Sequence, residues 1–208
     1  MKLQKPKITT IEEMSLCCAI KNEVFSNISV SESTVEKGII ENTTIDSCIF
    51  RNIDFSNIEF NNVDLLDVIF ENCDLSNKKF DNKLIQRVEF KNCKMLGSSF
   101  IDASIKDVLF ESTMAKYINL SGSKIDNLKI VDSNFNESVF LETKINKVDF
   151  NNADFEKSEI MNTSLKDIDF STCKISGIMT DNYSIKGMII NPFQSQDLVR
   201  ILGVKFKD

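Results

Sequence analysis

The chain has 208 residues, a mean hydropathy of −0.13 and a net charge of −6, from 25 Lys and Arg against 31 Asp and Glu; this balance disfavours nucleic acid as a direct ligand. It contains no His, which excludes His-based metal sites and Ser-His-Asp or Cys-His catalysis. Its six Cys form no CxxC pair, no Gly-rich phosphate loop is present, and no run approaches the ~20 apolar residues of a membrane span.

Residues 1–22 place Lys2, Lys5 and Lys7 ahead of a short apolar patch, Leu16 to Ile20. Glu12 and Glu13 and the shortness of the patch argue against a signal peptide. The segment is expected to cap the open edge of the structure that follows it.

A five-residue register governs residues 23–190. There are 34 multiples of five from Phe25 to Ile190, and all but Thr180 are apolar; 14 of the 16 Phe stand there. A helix would repeat its apolar stripe at about 3.6 residues and a flat strand at 2. A period of five requires two inward residues, the centre and the residue two before it, then a turn. Like residues also recur every 20: Phe50, Phe70, Phe90, Phe110, Phe150 and Phe170, with Ile130 the substitute, and Ile45, Leu65, Ile85, Ile105, Ile125, Ile145, Leu165 and Ile185. Four pentapeptides therefore make one coil, and about eight coils stack at a strand spacing of about 4.8 Å, giving a rod on the order of 40 Å long.

Several positions fit the register poorly. Glu23 would point inward and Gly38 leaves space. Lys78 and Lys83 occupy inward slots; because a buried unpaired ammonium is costly, the corner there is expected to distort, as a plain bulge or a functional projection. Ala115 is a small centre that thins the core. Cys48, Cys73, Cys93 and Cys173 fill the inward small-residue slot as reduced, compact hydrophobes, although Cys73 and Cys93 should lie on adjacent coils.

After Ile190, Asn191-Pro192-Phe193-Gln194 reads as a helix start: Asn as N-cap, Pro at the first turn, Gln three after the cap. The helix should end near Leu202, with Gly203 as its stop and a short strand over Val204 to Phe206. Phe193, Leu198, Ile201, Leu202, Val204 and Phe206 give this tail an apolar face. That face is either only a cap or also a homodimer contact.

Sorting outward residues by the 20-residue period separates the surface by charge. The face through Phe60, Phe80, Phe100 and Phe140 carries Glu41, Glu59, Asp81, Asp102, Glu142, Glu159 and Asp181 against Lys79 alone. The face through Ile45 and Leu65 carries Asp46, Asp64, Asp67, Asp107, Asp126 and Asp167 against seven basic residues, a balanced surface. The acidic face is either a solvated surface that confers solubility or a docking face.

VDLLD (63–67), CDLSN (73–77), VDFNN (148–152) and ADFEK (153–157) lie close to a pentapeptide consensus of Ala, Asp or Asn, Leu and two free residues. Residues 23–190 thereby resemble the pentapeptide-repeat family, which implies an all-β fold, a right-handed quadrilateral parallel β-helix, here followed by a short C-terminal α-helix. The unbroken register, absent loops, helical tail and acidic face are similar to the loopless, Gram-positive-type quinolone-resistance (Qnr-like and MfpA-like) group. That resemblance implies a cytoplasmic, non-enzymatic homodimer without metal or cofactor, which mimics DNA and binds a type II topoisomerase (DNA gyrase or topoisomerase IV). The resemblance implies protection of that enzyme from quinolone-type inhibitors. Two other readings stand beside it: a scaffold for an unrelated protein partner, and a structural protein without a specific ligand.

Overall fold

The computed structural model describes residues 2–9, 11–31 and 37–204, and residue 202 by its backbone only. Among these, the elements in chain order are β1 (Glu12–Glu13), α1 (Leu16–Asn22), β2 (Ile28–Ser31), β3 (Gly38–Arg51), β4 (Ile58–Glu71), β5 (Leu84–Lys91), β6 (Ser104–Glu111), β7 (Lys124–Val131), β8 (Val139–Leu141), β9 (Lys144–Asn151), β10 (Glu159–Met161), β11 (Met179–Thr180) and α2 (Ser195–Val199). All strand pairing is parallel. One sheet runs β1-β2-β3-β4-β5-β6-β7-β9 and a second β8-β10-β11. Partners differ by 20 residues through the coils, as in Leu65↔Ile85 and Phe70↔Phe90. The fold is a β-solenoid of about eight turns with a short helix at its C-terminal end.

The four faces of a coil are numbered by their centres: the first through Leu65 and Ile85, the second through Phe70 and Phe90, the third through Leu75 and Met95, the fourth through Phe80 and Phe100. The corner between faces is made by the residue two after each centre. There the backbone takes a positive φ: 55° at Asn52, 55° at Asp67, 60° at Asn82, 55° at Asp102. Asn and Asp tolerate this left-handed conformation better than other side chains do, which explains why they crowd the corner slot. At Gly122 a Cβ would sit 2.1 Å from an Asp102 carboxylate oxygen, so glycine is what lets that side chain lie over the next corner.

Inside, Phe50, Phe70, Phe90 and Phe110 stack with centroids 4.9–5.4 Å apart and ring planes within 16°. The stack ends at Ile130, where Phe135 turns its ring edge-on to Phe110 at 5.3 Å. The slot two before the centre has its own chemistry. Hydroxyls and thiols there donate to the carbonyl of the residue 23 earlier: Ser98 to Leu75 at 2.8 Å, Thr113 to Phe90 at 3.1 Å, Cys93 to Phe70 at 3.4 Å. All six cysteines are free; Cys48, Cys73, Cys93 and Cys173 are buried, and burial raises the Cys48 thiol to about 11. Thr180 also points inward, and its hydroxyl finds no partner.

Several sequence expectations need correction. The backbone does not distort at Lys78 and Lys83: Phe80 N still donates to Ser99 O at 2.7 Å and Asn82 N to Ile101 O at 2.7 Å. Lys78 remains in its slot, 7% exposed, and its ammonium reaches the Ser56 carbonyl at 3.4 Å. Burial lowers its pKa, partly offset by Asp74, Asp54 and Glu59. Lys83 instead donates to Asn62 Oδ1. Glu23 does not point inward; it takes φ 55° as the C-cap of α1 and is exposed. The space at Gly38 is filled by Ile20 and Ile58, whose methyl carbons lie 2.9 and 3.1 Å from where a Cβ would be. Ala115, the small centre, is fully buried.

The first 22 residues divide into two structures. Ser15 caps α1 by accepting from Cys18 N at 3.2 Å, and Leu16 and Ala19 are buried on the first coil. Residues 2–9 instead run along the outside, at the corner between the first and second faces. Lys7 N donates to Asp67 Oδ1 at 2.7 Å, Gln4 N to Asp107 Oδ1 at 3.0 Å, and Asn127 Nδ2 to Lys2 O at 3.2 Å.

At the other end, Asn191 and Gln194 form the expected capping box. Helical backbone runs from Pro192 to Leu202, 3-10 at both ends and α between, and Gly203 stops it at φ 73°. Val204 is not in a strand; the rest of the expected strand, with Phe206, lies outside the described residues.

Candidate protein-docking faces

Outward residues stand one before and one after each centre, in two columns per face. On the fourth face the acids alternate between these columns and the corner. Glu59 pairs in register with Ile39, Glu41 with Asn61, and Glu159 with Val139 and Met179. No two carboxylates of this set are stacked in one column on consecutive coils, which keeps like charges apart. The level of Leu120 carries no acid, only Asn119, Ser121 and Gly122.

The seven acids are not equivalent. Glu41, Glu59, Asp102 and Glu142 are exposed, and Glu159 is half-buried. Asp81 is tied to the next coil, accepting from Ile101 N at 2.9 Å and from the Ser99 hydroxyl. Asp181 accepts from Asn162 N at 2.7 Å and from Tyr183 N and Ser184 N, both at 2.8 Å. The Asn162 N–H leads the contacts that hold the Asp181 carboxyl below its ordinary range. Asp81 and Asp181 are therefore structural ties as well as surface charges.

Charge sorting by itself missed an apolar groove at the corner of the third and fourth faces. It measures about 460 Å³ and is lined by Tyr117, Glu137, Val139, Lys157, Glu159 and Met179. Tyr117 and Met179 are exposed. Lys116 lies 4.6 Å from the Tyr117 ring centroid and 3.1 Å from Glu137. The signal was available as aromatic and apolar residues in outward slots: Tyr117, Val139 and Met179.

The C-terminal tail separates cap from surface. Gln194 is buried and its amide donates to the carbonyls of Phe170 at 2.9 Å and Cys173 at 2.7 Å. Asn191 Nδ2 reaches Ser171 O at 2.6 Å. Leu198 packs on the core and Ile201 is half-buried. Phe193 is 92% exposed and Val204 is exposed. The Leu202 side chain and Phe206 lie outside the described residues.

Among the described residues no group of three or more His, Cys, Asp or Glu converges to hold a metal ion, and no helix is long and apolar enough to cross a membrane.

This fold and its register define a class, the pentapeptide-repeat β-solenoid. Residues 63–138 match the family model "Pentapeptide repeat region" and residues 41–77 the model "Pentapeptide repeats (8 copies)". Similar solved structures include a trypsin-treated form of QnrB1, a plasmid-mediated fluoroquinolone resistance protein. The two are 19% identical, with 96% of this chain and 98% of that chain covered and a TM-score of 0.44. HetL, a pentapeptide repeat protein involved in heterocyst differentiation regulation in a Nostoc cyanobacterium, is 11% identical over 85% of this chain and 97% of its own, with a TM-score of 0.34. A pentapeptide repeat protein of the Arabidopsis thaliana thylakoid lumen is 18% identical over 48% of this chain and 63% of its own, with a TM-score of 0.33. No curated protein matches the sequence.

Proposed function

We propose that the protein is a non-enzymatic, cytoplasmic DNA mimic that binds a type II topoisomerase and protects it from quinolone-type inhibitors. The observation that carries this reading is the fourth face, where seven of eight successive coil levels from Ile40 to Thr180 bear a carboxylate against Lys79 alone. Those levels span about 34 Å at one strand spacing per coil, close to ten base pairs of duplex at about 3.4 Å each. Seven carboxylates over that length are sparser than duplex phosphates, so the mimicry is one of shape and sign. The resemblance of the repeat to Qnr-like and MfpA-like proteins supplies the partner. In this reading the exposed Phe193 joins two copies at their C-terminal ends.

The test is gyrase and topoisomerase IV binding and supercoiling with ciprofloxacin present. Glu41, Glu59 and Glu142 are all exposed, so reversing them to Lys should abolish binding without unfolding the rod. Reversing Glu13, Glu111 and Asp167, an equal charge change off this face, should largely preserve it. Equal loss from both variants would reduce the effect to net charge. An unmodified protein that binds neither enzyme would overturn the proposal.

The groove lined by Tyr117, Val139 and Met179 favours a second reading, a scaffold for an unrelated protein partner, because exposed apolar surface rimmed by charge is typical of protein contacts.

A further inference from the structure

The first face is not balanced when read along the axis. Its acids Asp46, Asp64 and Asp67 lie in the early coils, and Lys106, Lys124, Lys144, Lys147, Lys166 and Lys186 in the later ones, all six exposed. Lys124 and Lys144 are direct register partners. Several basic residues on the second and third faces are paired with acids, although among the described residues Lys79 and Lys157 are not. On the second face Arg51, Lys91 and Lys129 each meet a carboxylate at 2.5–3.2 Å. On the third, Lys94, Lys116 and Lys174 do so at 2.8–3.9 Å. Among the described residues none of the six first-face ammonium groups has such a partner within 4.0 Å.

Three acids share this stretch, and two of them are engaged by polar groups. Asp126 accepts from Asn146 Nδ2 at 2.8 Å, and Asp107 from Gln4 N at 3.0 Å and from Asn127. Asp167 is exposed. The face keeps a positive excess on a molecule whose total charge is −6.

The N-terminal arm adds an independent observation. It covers the corner acids Asp67 and Asp107, leaving them 5% and 3% exposed, and brings exposed Lys2, Lys5 and Lys7 to the same edge. Lys2 and Lys5 also border a cleft with Glu89 and Glu111 of the second face.

We propose that this lysine face, continued by the N-terminal arm, docks on the phosphate backbone of duplex DNA through charge, without reading sequence. The spacing favours this partner. The six lysines span four coil steps, about 19 Å, or roughly one charge per 3 Å. One strand of B-DNA carries a charge about every 3.4 Å. The chain-wide balance that disfavours nucleic acid averages over faces that the fold keeps apart. The proposal does not depend on the topoisomerase reading, since it concerns a different face and a different ligand.

The test uses the full chain and a fluorescently labelled 20-base-pair duplex, read by anisotropy from 50 to 200 mM KCl. Binding should be measurable at 50 mM, with a log–log salt slope of about −3.6 to −5.4, as expected when four to six phosphates are neutralised. The variant Lys124→Glu, Lys144→Glu, Lys166→Glu should bind at least 30-fold more weakly, with a slope shallower by about 2.7. The control Lys21→Glu, Lys79→Glu, Lys157→Glu, equal in charge, should stay within threefold. Lys124→Gln with Lys144→Gln gives a milder version if the reversal impairs folding. Removing residues 2–9 should weaken binding several-fold, and unchanged affinity would overturn the arm's part in the surface. No binding at 50 mM, or equal losses in both triple variants, would overturn the proposal. So would capture by phosphatidylglycerol vesicles without duplex binding, which would mark a lipid-facing surface.

Discussion

The two ends of the rod are closed by different chemistry. At the N-terminal end β1 continues the ladder, with Glu12 N donating to Asn27 O at 2.9 Å and Met14 N to Ser29 O at 3.0 Å. Over it α1 lays Leu16, Ala19 and Ile20 against the first coil. At the C-terminal end no strand continues the ladder among the described residues. The side-chain amides of Gln194 and Asn191 take up the last carbonyls, and Leu198 supplies the apolar cover. The N-terminal end is thus closed by a backbone ladder under a helix and the C-terminal end by side-chain amides with Leu198, and among the described residues the C-terminal end leaves a large apolar ring, Phe193, in water. Ends of this kind are where solenoids associate.

The interior sets the scale for testing this contrast. Phe90→Ala, in the middle of the ring stack, should cost about 3–5 kcal/mol, and Leu16→Ala at the N-terminal end about 2–5 kcal/mol, both read by denaturant melts. A Leu16→Ala loss below about 1 kcal/mol would show that α1 is not what closes that end.

Gln194→Ala tests the other end. It leaves the Phe170 and Cys173 carbonyls buried without a donor, and the expected cost is about 1–3 kcal/mol. Because the loss is polar, a Gln194→Met variant that keeps the volume should not restore it. Full recovery in that variant would make the C-terminal closure a hydrophobic one.

A pH titration reports on the N-terminal arm, which lies along the middle coils beside Asp67 and Asp107. Burial raises the Asp67 carboxyl, but the Arg87 hydrogen bond at 2.6 Å, the Lys7 N–H and both charges outweigh it, so the pKa lies below the ordinary 3.8. The contribution is therefore present above pH 3.8 and is lost as pH falls through the lower folded value. Melting temperature should fall over that acid window in the unmodified protein and less steeply in Asp67→Asn. Parallel slopes would remove Asp67 from the account.

Phe193→Ser should have the smallest effect on stability, within about 0.5 kcal/mol, because the ring is already in solvent. Its effect should appear in light scattering: a dimer that becomes a monomer supports association through this end. Particle mass that is the same in both proteins would leave Phe193 as an exposed residue of the cap.

The solenoid was determined by the sequence alone. Phe, Leu and Ile at every fifth position and like residues at every twentieth leave few other folds, because each coil can bury its centres only against its neighbours. The capping box at Asn191 and Gln194 was equally legible, since a cap is a local pattern. Helix α1 left a fainter trace, Ser15 followed by Leu16, Ala19 and Ile20 at helical spacing. Other features depended on residues far apart in sequence. The arm lies on Asp67 and Asp107, more than 50 residues away, and no periodicity in its own eight residues announces that track. Lys78 remained inward because the Ser56 carbonyl one coil earlier receives its ammonium, a partner set by the 20-residue stacking. Which lysines meet a carboxylate, and which acids are held by backbone N–H groups, was likewise decided only when coils stacked, because hydrogen bonds and ion pairs act over a few ångströms and the chain order does not contain those distances.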